Sequence, residues 1–203
     1  MSDSYTVLWS NDRIQQIKKH HQEGARLEIL FGGPHSSEPS FSRYGVQEGD
    51  YIYPIRVYRG VLYVIGRMRV KRIIPLEEYI EQNPQIASEG EKSGWPMMTF
   101  GNYLALHPER QYLAPTCTSE VAIGEEGTPI RLDVMVPPDL LERLRFRSRK
   151  RERGIKHIEN GRLKNVNSLQ GGIYRLSEQS ELEFETLLMD KLNENIDSRP
   201  EEP

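Results

Sequence analysis

Two β-prone runs joined by a tight turn occupy residues 46–70 and limit what this chain can fold into. The first arm, Tyr51–Tyr58, and the second, residues 61–70, are rich in β-branched and aromatic residues, which favour strands. Arg59-Gly60 supplies the reversal between them, and Gly49-Asp50 supplies a turn into the first arm. The sequence therefore predicts a β-hairpin at the centre of a small, β-rich domain.

Two residues predict irregularities in this hairpin. Gly66 lies inside the second arm, where a glycine is typical of a bulge or of a close backbone approach, as at a barrel corner. Pro54 lies inside the first arm and cannot donate a ladder hydrogen bond, so we expect it at a sheet edge or at a bulge.

The remaining chain alternates short strands and helices. Ile130, Leu132, Val134 and Val136 alternate with Arg131, Asp133 and Met135, which is the clearest pattern of a half-buried strand in the sequence. Helix-capping residues precede two amphipathic runs, with Ser10, Asn11 and Asp12 before the first and Ser177 before the last. We predict strands at 5–9, 27–31, 120–123, 130–136 and 173–176, and helices at 12–21, at 76–80, after Asp139 and from Ser177 to Leu192.

The length of 203 residues, with 36% hydrophobic and 28% charged residues, fits one domain with a single substantial core. We expect that domain to span 1–192, with an irregular insertion around 84–117 and a disordered acidic tail at 193–203. Neither a signal peptide nor an apolar run of membrane-spanning length is present in the sequence. A cytoplasmic protein without membrane contact is therefore the expectation.

The charge is distributed unevenly although the formal net charge is only −3. Residues 143–164 hold ten lysines or arginines against two acids, and residues 178–203 hold nine acids against two bases. Like charges at the density of residues 143–156, the basic segment, repel each other unless something negative lies against them. Phosphate groups of a nucleic acid are one candidate for this negative partner, and the acidic C-terminal helix is the other. The expected phosphate-contacting residues are Arg143, Arg145, Arg147, Arg149, Lys150, Arg151, Arg153 and Lys156.

The order of strand, short helix, strand, loop and hairpin, together with the run Gly45-Val46-x-x-Gly49-Asp50-x-Ile52, resembles the PUA-like superfamily, which includes the PUA, ASCH, EVE and YTH domains. Gly60 and Gly66 match the small residues of its returning strand, and Val7 to Asn11 looks like the first strand and its exit in EVE and YTH domains. The resemblance implies an α+β fold built on a small twisted β-barrel, with flanking helices and a C-terminal helix. An unrelated small barrel with a similar hairpin is the alternative.

The same resemblance implies a nucleic-acid-binding module that reads a flipped or modified base in an aromatic pocket near the end of the first strand. Trp9, Ser10 and Asn11 match that position best, and Trp95 and Phe100 are candidate partners from the later loop. For Trp9 and Trp95, plain core packing is the competing interpretation. The sequence does not choose between DNA and RNA.

Catalysis is the weaker hypothesis. Cys117 and His107 form a nucleophile-base pair only if they meet in space, and the five histidines lack metal-ligand spacing, so we expect neither metal nor cofactor. Some ASCH-type proteins resemble small amidohydrolases of modified nucleosides, a reaction for which Thr118 and Glu120 could be recruited. A third hypothesis is a protein-interaction module, including a homodimer in which the basic segment meets the acidic helix of another copy.

Overall fold

The computed structural model describes residues 2–19, 21–33, 39–83, 118–148 and 151–197. The whole predicted insertion, residues 84–117, lies outside the described residues, and with it Trp95, Phe100, His107 and Cys117. Arg149 and Lys150 also lie outside them. The strands are β1 (Ser4–Leu8), β2 (Ile29–Gly32), β3 (Tyr51–Tyr58), β4 (Val61–Val64), β5 (Met68–Pro75), β6 (Glu120–Glu125), β7 (Arg145–Arg147), β8 (Glu152–Gly154), β9 (Ile158–Glu159), β10 (Arg162–Leu163) and β11 (Ile173–Arg175). The helices are α1 (Asn11–Lys19), α2 (Leu76–Gln82), α3 (Pro138–Arg143) and α4 (Glu178–Asp197), with a 3₁₀ turn at Ser42–Tyr44.

The predicted hairpin is confirmed at β3 and β4, which pair antiparallel from Tyr58 opposite Val61 to Ile55 opposite Val64. Its two turn residues, Arg59 and Gly60, have φ values of 51° and 76°. Two consecutive positive φ values define the turn type that matches the twist of a two-residue hairpin. A Cβ on Gly60 would also lie 2.8 Å from the Leu163 carbonyl oxygen, so glycine is required there for space as well as for conformation.

The returning arm is interrupted around Gly66, because β4 ends at Val64 and β5 begins at Met68. Pro54 lies opposite this interruption, where its carbonyl accepts a 2.8 Å hydrogen bond from Ile65 N–H. The expectation that Pro54 sits at a sheet edge is wrong, since β3 is an interior strand between β1 and β5. Because the neighbouring arm is interrupted here, the sheet does not require a hydrogen bond from the Pro54 nitrogen, which has no N–H to donate.

One mixed sheet organises the molecule, with strand order β11-β1-β3-β5-β6-β2 and with β4 also paired to β3. The β1–β3 pair is parallel, and the other pairs of this sheet are antiparallel. The fold is therefore mixed α+β, as predicted. Among the described residues no pairing joins β11 to β2, so the sheet is open and the expected closed barrel is not found.

Apolar side chains cover both faces of this sheet. β3 sends Ile52 into one buried cluster, and Tyr53 and Ile55 into another. The first cluster includes Ile14 and Ile17 of α1 and Tyr79 of α2, among others. The second includes Leu140, Leu141 and Leu144 of the α3 region and Phe184 and Leu188 of α4.

Residues 130–136 do not form the predicted strand. Ile130, Val134 and Val136 are buried and Met135 is exposed, so the alternation correctly predicted the burial. The backbone, however, makes only isolated bridges, at Pro129 and Met135, because its hydrogen bonds are divided between residues 24–25 and residues 62–65. The alternation of apolar and polar residues therefore predicted which side chains are buried, but the backbone does not form the continuous ladder of a strand.

The predicted capping residues lie where two helices begin. Ser10 Oγ accepts the Arg13 N–H at 3.2 Å before α1, and Ser177 Oγ accepts the Ser180 N–H at 3.3 Å before α4. α4 continues beyond its expected end at Leu192 as far as Asp197. Asp139 does not cap α3, which begins after Pro137 without a side-chain cap.

Candidate functional site

A small cavity lies where β1 ends and α1 begins. We call it the β1 cavity; its volume is about 170 Å³. Three of the five predicted base-binding residues line it, and the loop before β11 closes it from a distant part of the chain. The lining residues are Leu8, Trp9, Ser10, Asn11, Pro39, Val57, Val166, Gln170, Gly171 and Gly172.

Trp9 borders this cavity but is mainly a core residue. Its side chain is only 2% exposed, and its backbone N–H donates to Ile55 O at 2.8 Å. The Arg13 guanidinium lies 5.2 Å from the centre of the Trp9 ring. The described residues therefore present little of the Trp9 face to a ligand, while Ser10 and Asn11 supply polar groups at the cavity wall.

The side chain of Asn11 is held by a buried arginine that the sequence reasoning missed. Arg56 is 5% exposed, and its Nε donates to Asn11 Oδ1 at 2.9 Å. Asn11 Nδ2 in turn donates to Val57 O at 3.4 Å. The orientation of the Asn11 amide is thus set from within the fold, and an N–H of Nδ2 remains for a ligand.

No carboxylate among the described residues lies within ion-pair distance of Arg56. Burial lowers the pKa of its guanidinium, while the hydroxyls of Tyr63 and Tyr58 act in the opposite direction. The Tyr58 ring, 4.5 Å from the guanidinium carbon, provides a cation–π partner. A charged residue between Ile55 and Val57, inside an apolar strand, was the signal in the sequence that could have identified this position.

The basic segment folds as the end of α3 followed by the antiparallel pair β7–β8. Phe146 anchors it, buried to 3% exposure and packed on Tyr174 with 5.4 Å between ring centres. The alternating arginines Arg145, Arg147 and Arg153 remain exposed. The strand period thus explains the spacing of Arg145 and Arg147, which point to solvent on either side of the buried Phe146.

α4 neutralises part of this segment within the same chain. Arg143 pairs with Asp139 at 2.8 Å and with Glu183 at 3.3 Å, and Arg147 pairs with Glu178 at 3.3 Å. The hydrogen bond from Arg143 holds the pKa of Asp139 below its ordinary value. Only part of the basic segment meets the acidic helix. Both negative partners considered from the sequence, that helix and the phosphate groups of a nucleic acid, therefore stay open.

Four cations of the basic segment have no carboxylate partner among the described residues: Arg145, Arg151, Arg153 and Lys156. All four are exposed. Arg153 instead lies over the Tyr174 ring, with 4.6 Å from its guanidinium carbon to the ring centre. Arg145 donates to the backbone oxygens of Glu142 and Leu144.

A second cavity, about 550 Å³ in volume, lies beside β7 and β8, and we call it the β7–β8 cavity. Sequence reasoning found its arginines Arg147 and Arg153 but missed Tyr44, Tyr174 and Arg175. Tyr174 and Arg175 lie on β11, which pairs with β1, and Tyr44 donates from its hydroxyl to Gly171 O in the loop before β11. Its lining comprises Asp3, Tyr5, Tyr44, Gly45, Gln47, Asp50, Phe146, Arg147, Ser148, Arg153, Ile173, Tyr174 and Arg175.

Thr118 and Glu120, the residues considered for amide hydrolysis, lie just before β6 and at its first position. Thr118 is 5% exposed, and Glu120 Oε1 accepts the Ser42 N–H at 3.2 Å. The carboxylate of Glu120 thus ties the 3₁₀ turn to β6. The described residues contain no group of three potential metal ligands. In the same part of the chain, no helix has the length and hydropathy needed to cross a membrane.

Comparison with known proteins gives one set of structural matches. No family model matches the chain, and no curated protein matches it significantly. Two crystal structures of an ASCH protein from Zymomonas mobilis, a serine-to-alanine and a tyrosine-to-phenylalanine variant, match with TM-scores of 0.33 and 0.32 and identities of 13% and 12%. They cover 82% of this chain and 96% and 98% of theirs.

A third structure of that ASCH protein gives a TM-score of 0.29 at 12% identity. Likeness at this level carries no argument about activity.

Proposed function

We propose that this protein is a non-catalytic nucleic-acid-binding module. The observation that carries the proposal is the β7–β8 pair with its exposed cations Arg151, Arg153 and Lys156, for which the described residues offer no carboxylate. Guanidinium groups bind phosphate through charge-assisted, often bidentate hydrogen bonds. Two arginines and a lysine clustered in and beside one short strand suit a phosphate backbone, and they make binding dependent on salt.

The ion pairs to α4 are compatible with this role. Glu178, the partner of Arg147, is 84% exposed at its side chain, and ion pairs so open to water stabilise a fold little. A phosphate can therefore replace Glu178 at Arg147 at small cost to the fold.

In this proposal the β1 cavity receives a base. Its volume of about 170 Å³ is below the roughly 300–1,000 Å³ typical of pockets for drug-sized ligands. A single extruded base needs a small pocket with a few polar groups for its edge. Ser10 and Asn11 supply side-chain polar groups, and Asn11 is already oriented by Arg56.

Fluorescence anisotropy with labelled single- and double-stranded DNA and RNA at low salt tests the proposal. We expect binding to at least one probe class, weakened at least about tenfold in the triple variant Arg151→Ser, Arg153→Ser, Lys156→Ser. A charge-matched control, Lys18→Ser, Lys19→Ser, Lys71→Ser, removes three exposed cations outside the basic segment and should weaken binding much less. Absence of binding to every probe, or equal losses in both variants, would overturn the proposal.

A further inference from the structure

The β7–β8 cavity combines cationic and aromatic groups in a space large enough for a nucleotide. We propose that it is a second nucleotide subsite, and that the ligand is a single strand with at least two unstacked nucleotides, one in each cavity. This inference rests on the proposed function, because it assigns the class of nucleic acid that the same surface takes.

Arg153 and Tyr174 form a preorganised stacking platform in this cavity. The guanidinium carbon of Arg153 lies 4.6 Å from the Tyr174 ring centre. Phe146 packs on the same ring, at 5.4 Å between centres, and the Tyr174 hydroxyl donates to Gln170 O at 2.9 Å. Bases stack on aromatic faces and on guanidinium planes, so a base can continue this stack without reorganising it.

The lining of the cavity holds three arginines, Arg147, Arg153 and Arg175, against two carboxylates, Asp3 and Asp50. Its two carboxylates are both used by the fold: Asp3 pairs with Arg175, and Asp50 accepts the N–H groups of Asp3 and Gln47, each at 2.8 Å. Arg153 has no carboxylate partner in the described structure. The cavity therefore favours an anionic ligand, and a nucleotide phosphate beside the stacked base satisfies that requirement.

One loop separates the two cavities. Gln170, Gly171 and Gly172 line the β1 cavity, and the residues that follow, Ile173–Arg175, line the β7–β8 cavity. Tyr44 of the second cavity fixes this loop by donating from its hydroxyl to Gly171 O at 2.9 Å. A Cβ on Gly172 would lie 3.1 Å from that hydroxyl, so the absence of a side chain there allows the close contact.

This arrangement excludes a regular duplex from both cavities at once. Neighbouring bases of a duplex stack on each other and are paired at their edges, so they cannot enter cavities on opposite sides of one loop. A flexible single strand can cross the loop and place successive or nearby bases on its two sides. Single-strand preference is therefore the property that distinguishes this inference from phosphate binding alone.

The test compares an eight-nucleotide single strand with the duplex of the same sequence, in DNA and in RNA, by anisotropy at constant salt. Wild type should bind the single strand at least about tenfold more tightly. Arg153→Ser, which removes half of the stack, and Tyr44→Ala, which removes an aromatic wall of the cavity, should each lower single-strand affinity about tenfold and duplex affinity much less. Melting temperatures show whether each variant folds.

Arg151→Ser is the matched control, since it removes an exposed cation of the same segment that does not line the cavity. It should weaken single-strand and duplex binding by equal factors. If wild type binds both forms equally, or Arg153→Ser behaves as Arg151→Ser does, the second subsite is overturned while nucleic-acid binding stands. Absence of binding to any probe overturns both.

Discussion

Arg56 is the residue whose position in the fold says most about the β1 cavity. It is an almost buried cation in an interior strand, and its one side-chain hydrogen bond among the described residues goes to Asn11. Burying a cation without a carboxylate is costly. The hydrogen bond from Arg56 to Asn11 therefore gives a buried cation an acceptor, and it also fixes the Asn11 amide at the wall of the β1 cavity.

Substitutions at Asn11 should separate these two roles. Asn11→Ala leaves the buried Arg56 Nε without its acceptor, and we expect the free energy of unfolding to fall by about 1–3 kcal/mol. Asn11→Asp restores an acceptor and adds the missing counter-charge, so stability should equal or exceed that of wild type in chemical denaturation.

Nucleic-acid affinity should fall in Asn11→Asp despite its stability, because the donor is lost and a negative charge is added at the cavity wall. Anisotropy with the probe that wild type binds best measures this loss. Undiminished affinity in a stable Asn11→Asp protein would contradict the role of Asn11 in base binding.

Tyr53 provides a prediction about stability and pH that is independent of any ligand. Its hydroxyl donates to Glu185 Oε2 at 2.9 Å, and Glu185 also pairs with Arg67. Burial, together with Glu185, raises the pKa of the Tyr53 phenol well above its ordinary value of 10.0. The folded state therefore keeps this proton when the unfolded chain has lost it.

The contribution of Tyr53 is complete below pH 10 and declines as the pH rises above it, by roughly 1.4 kcal/mol per pH unit. Tyr53→Phe should be less stable by about 1–3 kcal/mol at pH 7, and its disadvantage should shrink between pH 10 and 11. Urea unfolding of both proteins across this range measures the difference, since the other tyrosines and lysines titrate in both. A disadvantage that grows with pH would show that the sign is wrong.

At the scale of elements, α4 both anchors the basic segment and neutralises some of its arginines. Ser180 Oγ accepts the Arg145 N–H at 2.9 Å and so anchors β7, while Glu178 and Glu183 pair with arginines of the segment. The interaction expected between the acidic helix and the basic segment thus occurs within one chain. The hypothesis of a homodimer built on the same charges stays a prediction.

Removing an acid of α4 should strengthen nucleic-acid binding. Glu178→Gln frees Arg147 for phosphate, and we expect affinity to rise about two- to threefold at low salt. Glu194→Gln, which removes the acid that pairs with Lys191 on the same helix, changes the net charge equally and should have a smaller effect. Equal effects of the two substitutions would mean that Glu178 does not compete with phosphate.

The elements also show where sequence patterns succeed. The hairpin and the serine caps depend on local chemistry, so they could be predicted from short stretches of sequence. Residues 130–136 show the limit: side-chain burial followed the alternation, but the backbone partners lie far away in the chain. Whether a buried stretch becomes a ladder depends on what lies beside it, and the sequence does not contain that information locally.

At the scale of the whole molecule, the open sheet with two covered faces brings distant segments to one surface. Trp9, Ser10 and Asn11 were predicted as site residues and do line a cavity, but Gln170 and Gly171 could not be foreseen there. They arrive because β11 pairs with β1, with Tyr5 opposite Arg175. The same pairing brings Tyr174 next to the basic segment, which is why the β7–β8 cavity was missed.

The salt dependence of binding tests the central claim, contact of the basic segment with phosphate, most directly. For a single strand, the logarithm of the affinity falls against the logarithm of salt concentration with a slope of about −0.7 per phosphate neutralised. The triple variant Arg151→Ser, Arg153→Ser, Lys156→Ser should therefore have a slope that is shallower by about two. An unchanged slope, with wild type and variant losing affinity in parallel as salt rises, would contradict the account.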